Sequence, residues 1–174
     1  MATVLLNGEP LGVGGRFPRV GDNAPSFMLV DTNLGDVPLA KFIGRRKVIA
    51  VVPSVDAEIG LKIARRLETI ADGFPNAKCF VVSIDTPYAL GRVMATEGMR
   101  KVQLLSTMRG RDFHKDYGVM ITDIPLSGMM ATALFGLDTD DNVLYSELVL
   151  DVNSEPNYEK LAEAMLAAAA AAAN

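Results

Sequence analysis

The run Val48-Ile49-Ala50-Val51-Val52 constrains this chain most, because its residues are almost all β-branched and none is polar. Such a stretch suits a strand covered on both faces, as in the middle of a sheet layered with helices. After Pro53 the spacing changes. Ile59, Ile63, Leu67, Ile70 and Phe74 recur every three or four residues, with Lys62, Arg65, Arg66 and Glu68 between them. That is the pattern of an amphipathic helix. Asp56 stands where it could cap the first turn, and Gly73 with Pro75 where the helix must end.

The same reading puts a second buried strand at Cys79–Ile84, a helix over Pro87–Gly98, a strand at Val102–Leu105 and a helical turn at Asp112–Tyr117. Upstream, Val4–Leu6 and Leu11–Val13 flank Asn7-Gly8, a pair that supplies the positive φ angles of a two-residue hairpin turn. The glycine-rich Gly12–Gly21 stretch lacks the third glycine of a dinucleotide fingerprint, and no strong helix follows it, so it reads as a loop. Phe27–Val30 and Val37–Phe42 read as strands around a Gly35-Asp36 turn. Downstream, Ala131–Leu137 and Val143–Val149 form a last hairpin through Asp138–Asn142. Ser154-Glu155-Pro156 then announces a C-terminal helix, with Ser154 as its cap. The alanine-rich tail over residues 167–174 is expected to fray. The order of elements predicts an α/β fold, with residues 1–174 as one domain.

Seventeen basic and twenty-one acidic residues leave a formal net charge of −4. The basic groups Arg45-Arg46-Lys47 and Arg65-Arg66 are short, so no nucleic-acid partner is expected. No apolar run approaches the roughly 20 residues of a membrane helix. Residues 1–10 carry no basic region ahead of an apolar stretch, and a cytoplasmic protein without a membrane partner is expected.

Cys79 is the only cysteine and His114 the only histidine. An intramolecular disulfide and a zinc site of several thiolates are therefore excluded, and no metal or cofactor is expected. Cys79 opens an apolar strand, which favours a small buried hydrophobe with a raised pKa over a redox thiol. His114, among Arg111, Asp112, Lys115 and Asp116, reads as a surface residue. Asp138–Asn142 lacks the glycine and the final acidic residue of a calcium loop. The nine methionines follow no repeated spacing and read as packing residues.

Several segments carry a family likeness: Gly44-Arg45-Arg46-Lys47-Val48 leading to Pro53-Ser54-Val55-Asp56, then Glu97-Gly98, Leu105-Ser106-Thr107-Met108-Arg109, Tyr117-Gly118-Val119, Pro125-Leu126-Ser127-Gly128, and Asp138 through Asp141-Asn142-Val143. In this order and spacing the chain resembles the bacterial thiol peroxidases, atypical two-cysteine peroxiredoxins. The resemblance implies a thioredoxin-like fold, a central mixed sheet flanked by helices and preceded by a β-hairpin. It also implies a homodimer that reduces hydrogen peroxide or alkyl hydroperoxides with thiols.

The family's signature resembles Pro-Ser-x-Asp-Thr-x-x-Cys, in which a cysteine at a helix N-terminus attacks peroxide as a thiolate while threonine and arginine donors hold the oxygens. Here the stretch keeps Pro53 but has Ala57 in place of the threonine and Gly60 in place of the nucleophile. The position matching the resolving cysteine, ahead of Ala95-Thr96-Glu97-Gly98, is Met94. The position matching the catalytic arginine is Thr132, which has no guanidinium charge. Arg109 is not that arginine and reads as structural, pairing with a carboxylate. All four substitutions remove chemistry, which implies a noncatalytic paralogue with a regulatory or binding role, an intact thiol peroxidase being one partner it could serve. The alternative is residual peroxidase activity through Cys79, or the activity of the intact family. Gly60 is predicted in the first turn of its helix, where alanine should stabilise the fold and cysteine should bring weak peroxide reactivity.

Overall fold

A computed structural model describes residues 1–173. Its first two strands, β1 (Ala2–Leu6) and β2 (Glu9–Gly14), pair antiparallel around Asn7 and Gly8, whose φ angles of 52° and 84° are those the tight turn needs. After a loop come β3 (Met28–Val30) and β4 (Asp36–Pro38), then β5 (Arg46–Val51), α1 (Glu58–Ile70), β6 (Ala77–Ser83), α2 (Pro87–Glu97) and β7 (Val102–Ser106). The short α3 (Asp112–Asp116) leads to β8 (Met120–Ile121), the hairpin β9 (Ala133–Leu137) and β10 (Val143–Leu148), and finally α4 (Tyr158–Ala172). Asn174, the last residue of the alanine-rich tail, lies outside the described residues.

The large sheet runs β10-β9-β5-β6-β7-β3-β4. Within it β5, β6 and β7 are parallel, and β9 runs antiparallel to β5. All six residues of β5 are buried, the apolar run Val48–Val51 as its composition requires and Arg46 and Lys47 together with it. Because strand side chains alternate, Val48, Ala50, Cys79 and Val81 face one cluster under α1, α2 and α4, whereas Ile49, Val51, Phe80 and Val82 face another that holds Phe113 and Tyr117 of the α3 segment. Ile63 and Leu67 of α1 are fully buried, each worth on the order of 2 kcal/mol of hydrophobic stabilisation. Gly136 admits α4 against β9, since a Cβ there would lie 2.8 Å from both Leu161 Cδ1 and Met165 Sδ. A small second sheet, β1-β2-β8, packs at the side. This is the thioredoxin-like arrangement with an N-terminal hairpin.

Several local expectations are corrected. The strand over Val37–Phe42 stops at Pro38, which has no amide to extend a ladder, and a 3₁₀ turn follows that buries Leu39 and Phe42. The turn before it centres on residues 32–34 rather than Gly35-Asp36. Leu34 has φ 66°, and the Asp31 carboxylate accepts from Asn33 N and Gly35 N at 2.9 Å. Asn157, not Ser154, caps α4, its side chain accepting from Lys160 N at 3.0 Å. Proline therefore lies outside that helix. Lys47, which the sequence shows only as part of a short basic group, is itself fully buried and forms an ion pair with Asp141 of the β9–β10 turn.

Candidate functional site

Pro53 follows the carboxyl end of β5, where the chain leaves the sheet and enters α1. Ser54 and Val55 are held there by one carboxylate, and Asp56 N donates to Ser54 Oγ at 3.0 Å. Asp85, just beyond β6, accepts from Ser54 Oγ at 2.7 Å, from Val55 N at 2.8 Å and from Ser83 Oγ at 2.6 Å. Ser106 Oγ of β7 donates to the Asp85 carbonyl at 2.6 Å. The ends of β6 and β7 and the loop before α1 are thus tied to one residue that sequence reasoning passed over. The signal for it, Ser83-x-Asp85 just ahead of the Thr86-Pro87 helix start, is short and polar enough to look like an ordinary loop.

Asp56 does not cap α1. The N-cap is Ala57, extended at φ −83° and ψ 147°, with no side-chain acceptor, because the helix starts at Glu58 and leaves Asp56 one residue too early. The Asp56 carboxylate instead accepts from Arg92 Nη2 of α2 at 2.6 Å. That pair is exposed and contributes little to stability.

Gly60 is buried in the first turn of α1, as predicted, but its surroundings overturn the expectation that alanine would fit. A Cβ built there would overlap the Ser54 carbonyl oxygen, lie 2.7 Å from the Ser54 carbonyl carbon and 3.3 Å from Val52 Cγ2. The obstacle is backbone, which cannot rotate away as a side chain would. The volume that any β-carbon at position 60 needs is already filled by the loop that Asp85 holds down.

The other family positions are brought to the same region. Val51 pairs with Ala133, which sets Thr132 beside the end of β5 and next to Pro53. Thr132 is fully buried and donates its hydroxyl proton to the Val152 carbonyl at 2.8 Å, so its side chain is committed to holding the C-terminal segment. Met94 on α2 is half-buried and packs, like Ala57, against the apolar cluster beneath α1 and α2. Pro53, Ala57, Gly60 and Thr132 therefore lie at the end of the sheet where β5 leads into α1, with Met94 on α2 against the same apolar cluster as Ala57, and none of the five offers a thiol or a charge.

Cys79 stands elsewhere. It pairs with Val48 in the middle of β5, five residues before Pro53, about 16 Å along the chain at ~3.3 Å per residue. It is 1% exposed, and burial pushes its thiol up to about 12, a raised value that nearby Lys78 and Arg45 only moderate. Such a thiol carries almost no thiolate at neutral pH.

His114 is not a surface residue. Its segment forms α3, which turns the histidine inward, where it is 4% exposed and shares a 3.0 Å hydrogen bond between Nε2 and Thr107 Oγ1. Burial, aided by the Arg111 charge, lowers its pKa. Arg109 behaves as the sequence suggested, pairing with Asp36 at 2.8 Å and donating to the Leu34 carbonyl at 2.8 Å. Among the described residues no group of three or more His, Cys, Asp or Glu side chains is placed to hold a metal ion, and no helix is long and apolar enough to cross a membrane.

Comparison with known proteins agrees with this geometry at the level of fold and family. A family model described as Redoxin matches residues 19–162. A thiol peroxidase of Leptospira interrogans is 37% identical over 160 residues, which cover 91% of this chain and 94% of that protein. The structure of a thiol peroxidase from Chromobacterium violaceum superposes with a TM-score of 0.90 at 37% identity, covering 96% of this chain and 97% of that one. A peroxiredoxin-like protein from Aquifex aeolicus superposes with a TM-score of 0.89 at 32% identity, covering 95% and 96%. The chain belongs to the redoxin family, among its thiol peroxidase relatives.

Proposed function

We propose that this chain is a redoxin-family protein without peroxidase chemistry, degenerate at both redox-cysteine positions, whose role is binding or regulatory. The observation that carries this reading is the overlap at Gly60, where the Ser54 carbonyl occupies the space a nucleophile's β-carbon would need. Peroxide reduction by a thiol requires a thiolate within reach of the peroxide oxygen. Gly60 has none, and Thr132 spends its hydroxyl on Val152. The family resemblance also supports a homodimer, which sedimentation of a strict monomer at tens of micromolar concentration would refute.

A second reading, thiol-dependent reduction of hydrogen peroxide or alkyl hydroperoxides, is favoured by the 37% identity to a protein named thiol peroxidase. In this chain it must run through Cys79. One experiment separates the two: hydrogen peroxide consumption with thioredoxin, thioredoxin reductase and NADPH, comparing the natural sequence with Cys79→Ser. The expected result is no turnover above the protein-free control for either. Turnover that is lost in Cys79→Ser would overturn the noncatalytic reading.

A further inference from the structure

We infer that the cavity between the N-terminal hairpin and the end of β10 is a binding site for a small amphipathic anion, a carboxylate or phosphate on a short apolar body. Its volume is about 730 Å³, within the roughly 300–1,000 Å³ typical of small-molecule sites. Val13, Phe17 and Leu148 supply apolar walls, and Arg16 and Arg19 supply cations. None of the five family positions lines it, so the inference stands apart from the peroxidase question.

The loop that carries the two arginines is fixed rather than free. Gly15 has φ 95°, and a Cβ on it would lie 2.8 Å from Lys115 Cα, while one on Gly118 would lie 2.7 Å from the Arg16 carbonyl carbon. Only glycines allow this approach, which Arg16 N closes with a 2.9 Å hydrogen bond to the Lys115 carbonyl. The Phe17 ring packs on Phe135 with centroids 5.1 Å apart. At the far end Gly21 N donates to the Val143 carbonyl at 2.9 Å, and Val143 N to the Asp22 carbonyl at 2.8 Å. The guanidinium groups are therefore presented from a backbone anchored on both sides.

Among the described residues neither guanidinium group is ion-paired. Arg45, Arg46, Arg65, Arg92 and Arg109 each hold an acceptor, whereas Arg66, Arg100 and Arg111 are, among the same residues, unpaired like Arg16 and Arg19 but line no cavity together. Asp22 is the acidic residue lining the cavity, and its Oδ2 accepts from Arg19 N at 2.9 Å instead of from a guanidinium. Arg16 also borders a smaller recess with Asp22 and Asp116, again without an ion pair. Two cations lining one cavity repel each other, and the fork of a guanidinium fits the oxygens of a carboxylate or phosphate. An anion there relieves the repulsion, and the apolar walls select one that carries a hydrocarbon or aromatic portion.

The test is titration of the isotopically labelled protein with octanoate and with octyl phosphate, following the amide resonances of Gly15, Arg19 and Gly118. Octanol and octylammonium are the neutral and cationic controls. Saturable shifts confined to the cavity for at least one anion, absent for octylammonium, are expected, and the tighter of the two identifies the headgroup. The double variant Arg16→Ala with Arg19→Ala, both at exposed positions, should keep the spectrum elsewhere unchanged and weaken binding about ten-fold or more. Asp22→Asn, which keeps an oxygen for Arg19 N, should tighten it. Equal affinity for octanol, unchanged affinity in the double variant, anion shifts that map elsewhere, or no shifts at millimolar ligand would each overturn the site.

Discussion

Replacing Gly60 by alanine is the most direct probe of the closed site. In an unobstructed helix the change stabilises by about 0.5–1 kcal/mol, because glycine loses more backbone freedom on folding. At Gly60 the new methyl overlaps the Ser54 carbonyl, so the loop must shift. Overpacking of this kind costs about 1–3 kcal/mol. The shift also strains the Ser54 Oγ and Val55 N bonds to Asp85, and bonds to a charged group are worth about 1.5–3 kcal/mol each when lost outright. Partial loss of these leaves a net destabilisation of about 2–4 kcal/mol, a fall of roughly 5–15 °C in Tm for a chain of this length. The measurement is urea unfolding followed by far-UV circular dichroism, with Gly91→Ala on α2 as an internal control. A Cβ on Gly91 meets only Thr32 Cβ at 3.7 Å, an ordinary contact, so that variant should gain the helix term alone. If Gly60→Ala is stabilised to the same degree as Gly91→Ala, the loop does not rest on α1 and the argument for a filled site is refuted.

Glu68 accepts from the amides of Arg100, Lys101 and Val102 at 2.7 to 2.9 Å. Burial pushes its carboxyl up, but those three amides and the Lys101 charge together more than offset this and hold it below the usual range. Glu68→Gln should therefore cost about 1–2 kcal/mol at neutral pH, and the difference should shrink as pH falls from the ordinary carboxylate range through the depressed value of Glu68, as urea unfolding at a series of pH values would show. Asp141→Asn, which keeps a residue tolerant of the positive φ at that position, should cost about 3–5 kcal/mol by leaving the Lys47 ammonium buried and unpaired, read by the same assay. The Cys79 thiol should react with an aromatic disulfide reagent only after unfolding in guanidinium; rapid reaction of the native protein would contradict its burial.

The β-branched run at Val48, the three- and four-residue spacing after Ile59 and the Asn7-Gly8 pair each act over a short stretch of chain, and each was legible as the element it forms. Helix boundaries were less so, because Asp56 and Ser154 are good caps in isolation while Ala57 and Asn157 occupy the cap positions in the fold. The resemblance located Pro53, Ala57, Gly60, Met94 and Thr132, but it described them only as missing chemistry. What fills the site comes from residues distant in sequence: Asp85 reaches across 31 positions to Ser54, and Thr132 across 20 to Val152. No local pattern records such contacts. The burial of Lys47 and His114 was missed for the same reason, since a charged or polar neighbourhood in sequence says nothing of which face a helix or strand turns inward.

Under the noncatalytic reading, the changed positions are coupled through the backbone as well as through lost function. With glycine at position 60 the Ser54 carbonyl can rest on α1, and Asp85 fixes it there by accepting from the Ser54 hydroxyl and the Val55 amide. Threonine at position 132, short and uncharged, finds the Val152 carbonyl within a fully buried space; an arginine there would need an outlet or a buried counter-charge to offset its desolvation. A cysteine returned to position 60 alone would thus meet a closed loop before it met peroxide, which lowers the reactivity that the sequence alone suggested for it. Reopening the pocket requires displacing the Ser54 carbonyl first, so the barrier to regained chemistry lies in the packing of the loop as well as in the identity of the side chains.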